Sequence, residues 1–174
     1  MPHADRPAPD RLLLVGMMGA GKSTVAQALA ARLGWPTLDT DTVVEAREGA
    51  SVAVVWREKG ESAFRSAESA VVEELKNAPL PLVVSVGGGA VLSEANRQAL
   101  RRAGTVVWLR ARPASLVARV GGGEGRPLLA GGPLESSLER LLTEREALYW
   151  EVADVVVDVD ELSPSEIAER LCES

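Results

Sequence analysis

Gly16-Met17-Met18-Gly19-Ala20-Gly21-Lys22-Ser23 sets glycines, a lysine and a hydroxyl in the spacing Gly-x4-Gly-Lys-Ser. Each residue type suits a polyphosphate. Gly16, Gly19 and Gly21 let the backbone take positive φ and approach an anion with no Cβ in the way. The amides of such a turn point inward at the start of a helix, where the dipole favours negative charge. Lys22 can reach β- and γ-phosphates, and the Ser23 hydroxyl can ligate Mg²⁺. The flanks agree with this expectation. Leu12–Val15 is a short apolar run of the kind buried on both faces of a sheet. Val25, Leu29 and Leu33 then recur at helical spacing until Gly34. A Mg²⁺-bound nucleoside triphosphate is the expected ligand.

Other residues carry chemistry at positions where strands should end. Asp39-Thr40-Asp41 closes a second strand, and in open parallel sheets the ligand crevice lies beyond the carboxyl ends of the strands. Two carboxylates beside phosphates suggest a division of labour. One holds the water shell of a metal, and the other accepts the proton of an attacking hydroxyl. The plainer alternative is an aspartate capping a helix. Arg65 precedes Glu68 by three residues on a helix, so the pair can orient a guanidinium for two-point binding of a carboxylate. A surface salt bridge is the competing account. Gly87-Gly88-Gly89 follows an apolar run and holds more glycine than a strand-to-helix turn requires, which points to a ligand lying against the backbone. Arg126, inside the Gly- and Pro-rich segment 121–133, suggests a lid that closes over the γ-phosphate.

The elements that must position these groups alternate. Strands are expected at Leu12–Val15, Trp35–Leu38, Leu82–Val86, Thr105–Leu109 and Asp154–Val157. Helices are expected at Lys22–Leu33, Thr42–Arg47, Val52–Lys59, Glu61–Lys76, Glu94–Arg102, Pro113–Val120, Glu135–Trp150 and Pro164–Cys172. Such alternation predicts an α/β fold with a parallel sheet covered on both faces. The 174 residues suit one domain over 11–174, and residues 1–10, with three prolines and His3, read as a disordered leader. Only 3% of the residues are aromatic, so Val, Leu and Ala must fill the core. The net charge of −6 argues against nucleic-acid or anionic-membrane partners. Cys172 is the single cysteine, which excludes an internal disulfide and fits a reducing cytoplasm. No apolar run is long enough to span a bilayer. A GTPase would need Asp-x-x-Gly and Asn-Lys-x-Asp strings, which do not occur.

Taken together, these stretches resemble shikimate kinase, a family in the nucleoside-monophosphate-kinase-like branch of P-loop proteins. The resemblance runs from about Leu12 to Leu171. It rests on the P-loop through Thr24, Leu-Asp-Thr-Asp at 38–41 and Gly-Glu-x-x-Phe-Arg-x-x-Glu at 60–68. Gly-Gly-Gly at 87–89, Arg-Pro-Leu-Leu at 126–129 and Arg-x-x-Leu-Tyr at 145–149 complete it. It implies a five-stranded parallel sheet in the order 2-3-1-4-5, a substrate region at about 40–70 and a lid at about 121–133. It further implies a cytoplasmic monomer that transfers the γ-phosphoryl group of ATP to the 3-hydroxyl of shikimate, with Mg²⁺, on the route to aromatic amino acids.

By position, the resemblance makes Asp41, Lys22 and Arg126 catalytic. It assigns ATP to Gly19, Ala20, Gly21, Lys22, Ser23, Thr24, Arg119 and Arg126. Shikimate falls to Asp41, Arg65, Arg145, Gly87, Gly88 and Gly89, with Trp56 and Phe64 lining its pocket. Ser23 would bind the metal directly, and Asp39 and Ser85 through water. The sequence departs from the family pattern at Met17 and Ala147, where proline is frequent, and at 158–162, which lacks a basic residue, so that Arg119 would carry more of the adenine contact. A kinase for another hydroxy acid such as gluconate, a mononucleotide kinase, and a non-catalytic nucleotide-binding module are the alternatives.

Overall fold

The computed structural model describes residues 10–120, 129 and 132–174. Strand β1 (Arg11–Val15) is buried along its whole length, as its unbroken Leu-Leu-Leu-Val run requires of a central strand. It pairs in parallel with β3 (Leu82–Ser85) on one side and β4 (Thr105–Arg110) on the other. Strand β2 (Thr37–Asp39) adds to β3, and β5 (Val155–Asp158) adds to β4. The sheet order is therefore β2-β3-β1-β4-β5, as the family resemblance implies.

Register is what assembles the site. Leu14 and Asp39 both stand opposite Ser85, so β1, β2 and β3 end at one level. The turn at 16–21, the Asp39–Asp41 segment and Gly87–Gly89 all leave the sheet at the same edge. That is the carboxyl edge, where ligands of open α/β sheets bind.

Helices α1 (Lys22–Leu33) and α8 (Pro164–Glu173) pack together beside the sheet. α5 (Glu94–Ala103), α6 (Pro113–Val120) and α7 (Leu134–Val152) contribute Leu100, Leu116 and Leu138 to the main core with Leu13, Leu29 and Trp108. Helices α2 (Thr40–Glu48), α3 (Val52–Lys59) and α4 (Glu61–Glu74) build a second, small cluster from Val44, Val55, Phe64 and Val71. No described helix is long and apolar enough to cross a membrane.

The expected elements are present, with shifted ends. β2 starts at Thr37 rather than Trp35. α2 starts at Thr40 rather than Thr42, because the Asp39 carboxylate caps it by accepting from the amides of Asp41 and Thr42 at 2.9 and 3.3 Å. Asp41 thus lies in a helical first turn instead of closing a strand. α4 ends at Glu74 and tightens into a 3₁₀ turn at Leu75–Asn77. α7 runs from Leu134 to Val152, longer than the expected Glu135–Trp150, and β5 sits one residue later than expected.

Leu13 has no exposed surface and lies in the main core on the central strand. Leu13→Ala should cost about 2–5 kcal/mol, because a cavity there cannot collapse within a parallel sheet. Urea unfolding should show a lower midpoint with an unchanged slope.

Candidate active site

A cleft of about 800 Å³ opens at this carboxyl edge. Its first wall is the 16–23 turn. Gly21 adopts φ +90° at the N-cap of α1, a conformation that a Cβ would strain. Gly19 is at φ +84°, and a Cβ there would lie 2.6 Å from the Val120 side chain of α6. The Lys22 ammonium donates to the carbonyls of Gly16 and Met17 at 2.8 and 3.0 Å, which hold it at the mouth of the turn. Thr24 lines the cleft as the third residue of α1, and Ala20 is buried.

Three oxygen-bearing side chains meet beside Lys22. The Ser23 hydroxyl donates to Asp39 Oδ2 at 2.9 Å and stands 3.3 Å from Ser85 Oγ. Asp39 therefore caps α2 through Oδ1 while its Oδ2 faces Ser23. Hydroxyl and carboxylate oxygens suit a hard cation such as Mg²⁺, which keeps several waters and needs few protein ligands. Among the described residues no cluster of three or more His, Cys, Asp or Glu offers a self-contained metal cage, so a metal here depends on phosphate oxygens as well.

The opposite wall gathers charge around Gly87–Gly89. Asp41 Oδ1 is buried without a hydrogen-bond partner. Burial pushes its carboxyl above the usual carboxylate range, nearby Asp39 pushes the same way, and Lys22 opposes them. Glu68 is 1% exposed and accepts from Arg65 Nη1 at 2.8 Å. Its carboxyl is also raised, by burial first, with Arg65 opposing. A surface salt bridge is thereby excluded for Arg65 and Glu68. The Arg65 guanidinium lies 5.4 Å from the Trp56 ring centroid and 5.3 Å from that of Phe64, whose rings are 5.5 Å apart. Flat aromatic faces beside a cation hold it in place without neutralising it. Arg145, on α7, is 1% exposed, and its Nε lies buried without a hydrogen-bond partner.

The three glycines make room for these side chains. A Cβ on Gly87 would lie 2.8 Å from Asp41 Oδ1 and 2.9 Å from Glu68 Oε2. One on Gly88 would lie 3.5 Å from Arg145 Nη1, and one on Gly89 would collide with the Arg65 guanidinium. The turn is thus the common floor for two carboxylates and two guanidiniums.

Arg119 sits at the far end of the cleft and donates to the carbonyls of Val159 at 3.1 Å and Ala20 at 3.4 Å. It bridges the phosphate turn to the segment that lacks a basic residue of its own. Arg126 and most of the expected lid at 121–133 lie outside the described residues, as does His3. Of that segment, Leu129 is described and is buried.

Three residues contribute that sequence reasoning did not assign. Thr40 is fully buried, and its Oγ1 accepts from the Gly87 amide at 2.9 Å. Glu45 accepts from the Val52 amide at 3.0 Å and so sets where α3 begins. Tyr149 is fully buried and donates its hydroxyl to the Gly88 carbonyl at 2.7 Å. Glu45 and Tyr149 each follow a singled-out residue, Asp41 and Arg145, by four positions, so helical spacing marked them. Thr40 stood inside the Leu-Asp-Thr-Asp motif, but nothing in its spacing pointed to Gly87.

A sequence profile described as shikimate kinase matches residues 18–174. The shikimate kinase of Halorhodospira halophila is 43% identical over 166 residues, spanning 95% of this chain and 93% of that protein. Among solved structures, a shikimate kinase from Acinetobacter baumannii in complex with shikimate superposes with a TM-score of 0.90 at 35% identity, covering 94% of this chain and 91% of that one. A gluconokinase from Sinorhizobium meliloti shares the fold, with a TM-score of 0.57 at 23% identity over 97% of this chain and 96% of that one.

Burial of Asp41 has a consequence for stability. Its folded-state pKa lies above the unfolded value, so the ionised carboxylate destabilises the fold at neutral pH. That penalty is relieved as pH falls through the folded pKa. Asp41→Asn should therefore melt above the parent at pH 7, with the gap narrowing as pH falls into the carboxylate range. Melting curves at pH 7 and pH 5 check this, and a constant or inverted gap would contradict it.

Proposed function

This chain belongs to the shikimate kinase family, and from that premise we propose that its cleft carries phosphoryl transfer from ATP to the 3-hydroxyl of shikimate, with the residues above in the following roles. The observation that carries the reading is the convergence of Asp41, Glu68, Arg65 and Arg145 on one glycine turn, directly beside the phosphate turn.

The phosphate turn holds the donor. Its amides and Lys22 bind the β- and γ-phosphates and stabilise charge that develops there. Ser23 would hold Mg²⁺ directly, with Asp39 and Ser85 acting through its water shell. When bound, the metal draws charge from the β- and γ-phosphate oxygens. Gly19, Ala20, Gly21 and Thr24 complete the triphosphate cradle, and Arg119 flanks the adenine. Arg126, outside the described residues, is assigned to the γ-phosphate by the family resemblance alone.

The glycine turn holds the acceptor. Arg65, oriented by Glu68 and by the rings of Trp56 and Phe64, grips the shikimate carboxylate together with Arg145. Gly87, Gly88 and Gly89 lie under the cyclohexene ring. Asp41 Oδ1, lacking a protein partner, accepts a hydrogen bond from the 3-hydroxyl. As that oxygen bonds to phosphorus, its proton passes to Asp41, the bridging P–O bond breaks and ADP leaves with the electron pair. The raised carboxyl pKa suits this step, because it makes Asp41 a better proton acceptor than a solvated aspartate. Among the described residues, Leu80, Leu92 and Trp150 are the exposed large apolar side chains, a small set that supports a monomer. A cytoplasmic site of action follows from ATP as donor.

A coupled assay of ADP release with shikimate, gluconate or no acceptor tests the function. Turnover only with shikimate is expected, and turnover with gluconate instead would overturn the reading. Asp41→Asn should lower kcat by about 10²-fold or more while leaving ATP affinity intact. Arg65→Ala should raise the shikimate KM by about 10–100-fold with a smaller effect on kcat, because a charge-assisted two-point contact exists in ground and transition states alike. Gly89→Ala should behave like Arg65→Ala, since its methyl group would displace the same guanidinium.

A further inference from the structure

Three consecutive glycines make a poor floor for a reaction that needs ångström alignment, because glycine backbone is intrinsically permissive. Something outside the turn must hold it. The Gly87 amide is held by Thr40, and the Gly87 and Gly89 carbonyls accept from the amides of Ala90 and Leu92 at 3.1 Å each. The Gly88 carbonyl, at the middle of the turn, accepts from Tyr149 at 2.7 Å. Gly88 is also where the acceptor turn touches the phosphate turn. A Cβ placed on it would lie 3.1 Å from the Gly16 carbonyl oxygen and 3.6 Å from the Met18 amide nitrogen. That same Gly16 oxygen accepts from Lys22 at 2.8 Å. The two half-sites therefore meet at one backbone seam, and a tyrosine hydroxyl grips one side of it.

Tyr149 is well placed to be a stiff restraint. Its ring has no exposed surface and stacks on Trp108 of β4, with centroids 5.5 Å apart and planes inclined by 26°. Trp108 is itself buried between the sheet and α7. A planar ring locked in this way carries its hydroxyl on a short lever with little rotamer freedom. Tyr149 also lies one helical turn beyond Arg145, so the helix that supplies a carboxylate grip supplies the turn's restraint as well.

We propose that Tyr149 is a positioning residue for phosphoryl transfer: its hydroxyl fixes the Gly88 peptide against the P-loop and so sets the distance between acceptor hydroxyl and γ-phosphorus. The proposal deepens the shikimate kinase reading and rests on it for the identity of the acceptor. Tyr149 is assigned no contact with either substrate and acts through the turn, while the Arg145 guanidinium also hydrogen-bonds with its hydroxyl. Burial pushes the phenol up to about 12, so it remains a hydrogen-bond donor throughout the working pH range. Removing the donor orphans the Gly88 carbonyl and lets the glycine turn relax away from the phosphate turn. A displacement on the order of 1 Å is enough to cost about 10²-fold in rate.

Tyr149→Phe keeps the ring and its packing and removes only the hydroxyl. In the full-length chain with Mg²⁺ and ATP, kcat should fall by about 10–100-fold. The KM values for ATP and shikimate should stay within about threefold, and the pH–rate profile should keep its shape because no titrating group is lost. A kcat equal to that of the parent, with only the melting temperature lowered, would show a purely structural tyrosine and overturn the proposal. A raised shikimate KM at unchanged kcat would also overturn it, since the hydroxyl would then serve Arg145 rather than the turn.

Should Tyr149→Phe fail to fold, the parent chain supplies a second test. It contains one tyrosine, so global incorporation of 3-fluorotyrosine gives a single ¹⁹F resonance from position 149 with the hydroxyl retained. That resonance should shift on saturation with shikimate, and no shift would overturn the proposal. A parent inactive toward shikimate refutes the acceptor assignment and this role with it. An active parent matched by its variant refutes the role alone.

Discussion

Burying charge beside a backbone that has no side chains is the constraint on which the rest of this site depends. Glu68 and Arg145 are each 1% exposed, and the Asp41 carboxylate is largely enclosed. Burial of this kind is costly unless the charges are paired at close range. Here the pairing takes place in the volume that three Cβ atoms would otherwise fill. Any side chain at position 87 would push Asp41 and Glu68 apart, and one at 89 would evict Arg65. Helices α2, α4 and α7 can therefore close onto the turn only because it is glycine throughout.

The parallel register brings the donor half to the same place. Strands β1, β2 and β3 end level with one another, so that Ser23, Asp39 and Ser85 fall within hydrogen-bonding distance although they are far apart in sequence. Lys22 then acts on both halves. Its ammonium lies at the mouth of the phosphate turn, and its field opposes the burial that raises the Asp41 pKa. The Asp41 carboxyl is thus held between desolvation, which raises its pKa, and a lysine, which lowers it.

Around the glycine turn, rigidity comes from packed rings and from ties between helices. Trp56 and Phe64 flank the Arg65 guanidinium while belonging to the small core of α2–α4. Glu45 fixes the start of α3, and Thr40 ties α2 to the glycine turn. Arg65 and the glycine turn are thereby held by side chains whose own conformations are set by packing.

Residue spacing by itself determined the phosphate turn, the alternation of strands and helices and the grouping of charged residues near strand ends. These are local properties: glycine conformational freedom, apolar periodicity and helical offsets of three or four residues act within a few positions. The order of the strands came from family resemblance rather than from spacing. Tertiary structure alone decided burial and partnership. It made Arg65–Glu68 a buried pair rather than a surface bridge, and it divided the two oxygens of Asp39 between a helix cap and Ser23. It also brought Tyr149 to Gly88, residues 61 positions apart. No local rule reaches that far, because the dielectric around a charge and the partner of a hydroxyl depend on which distant segments the sheet brings together.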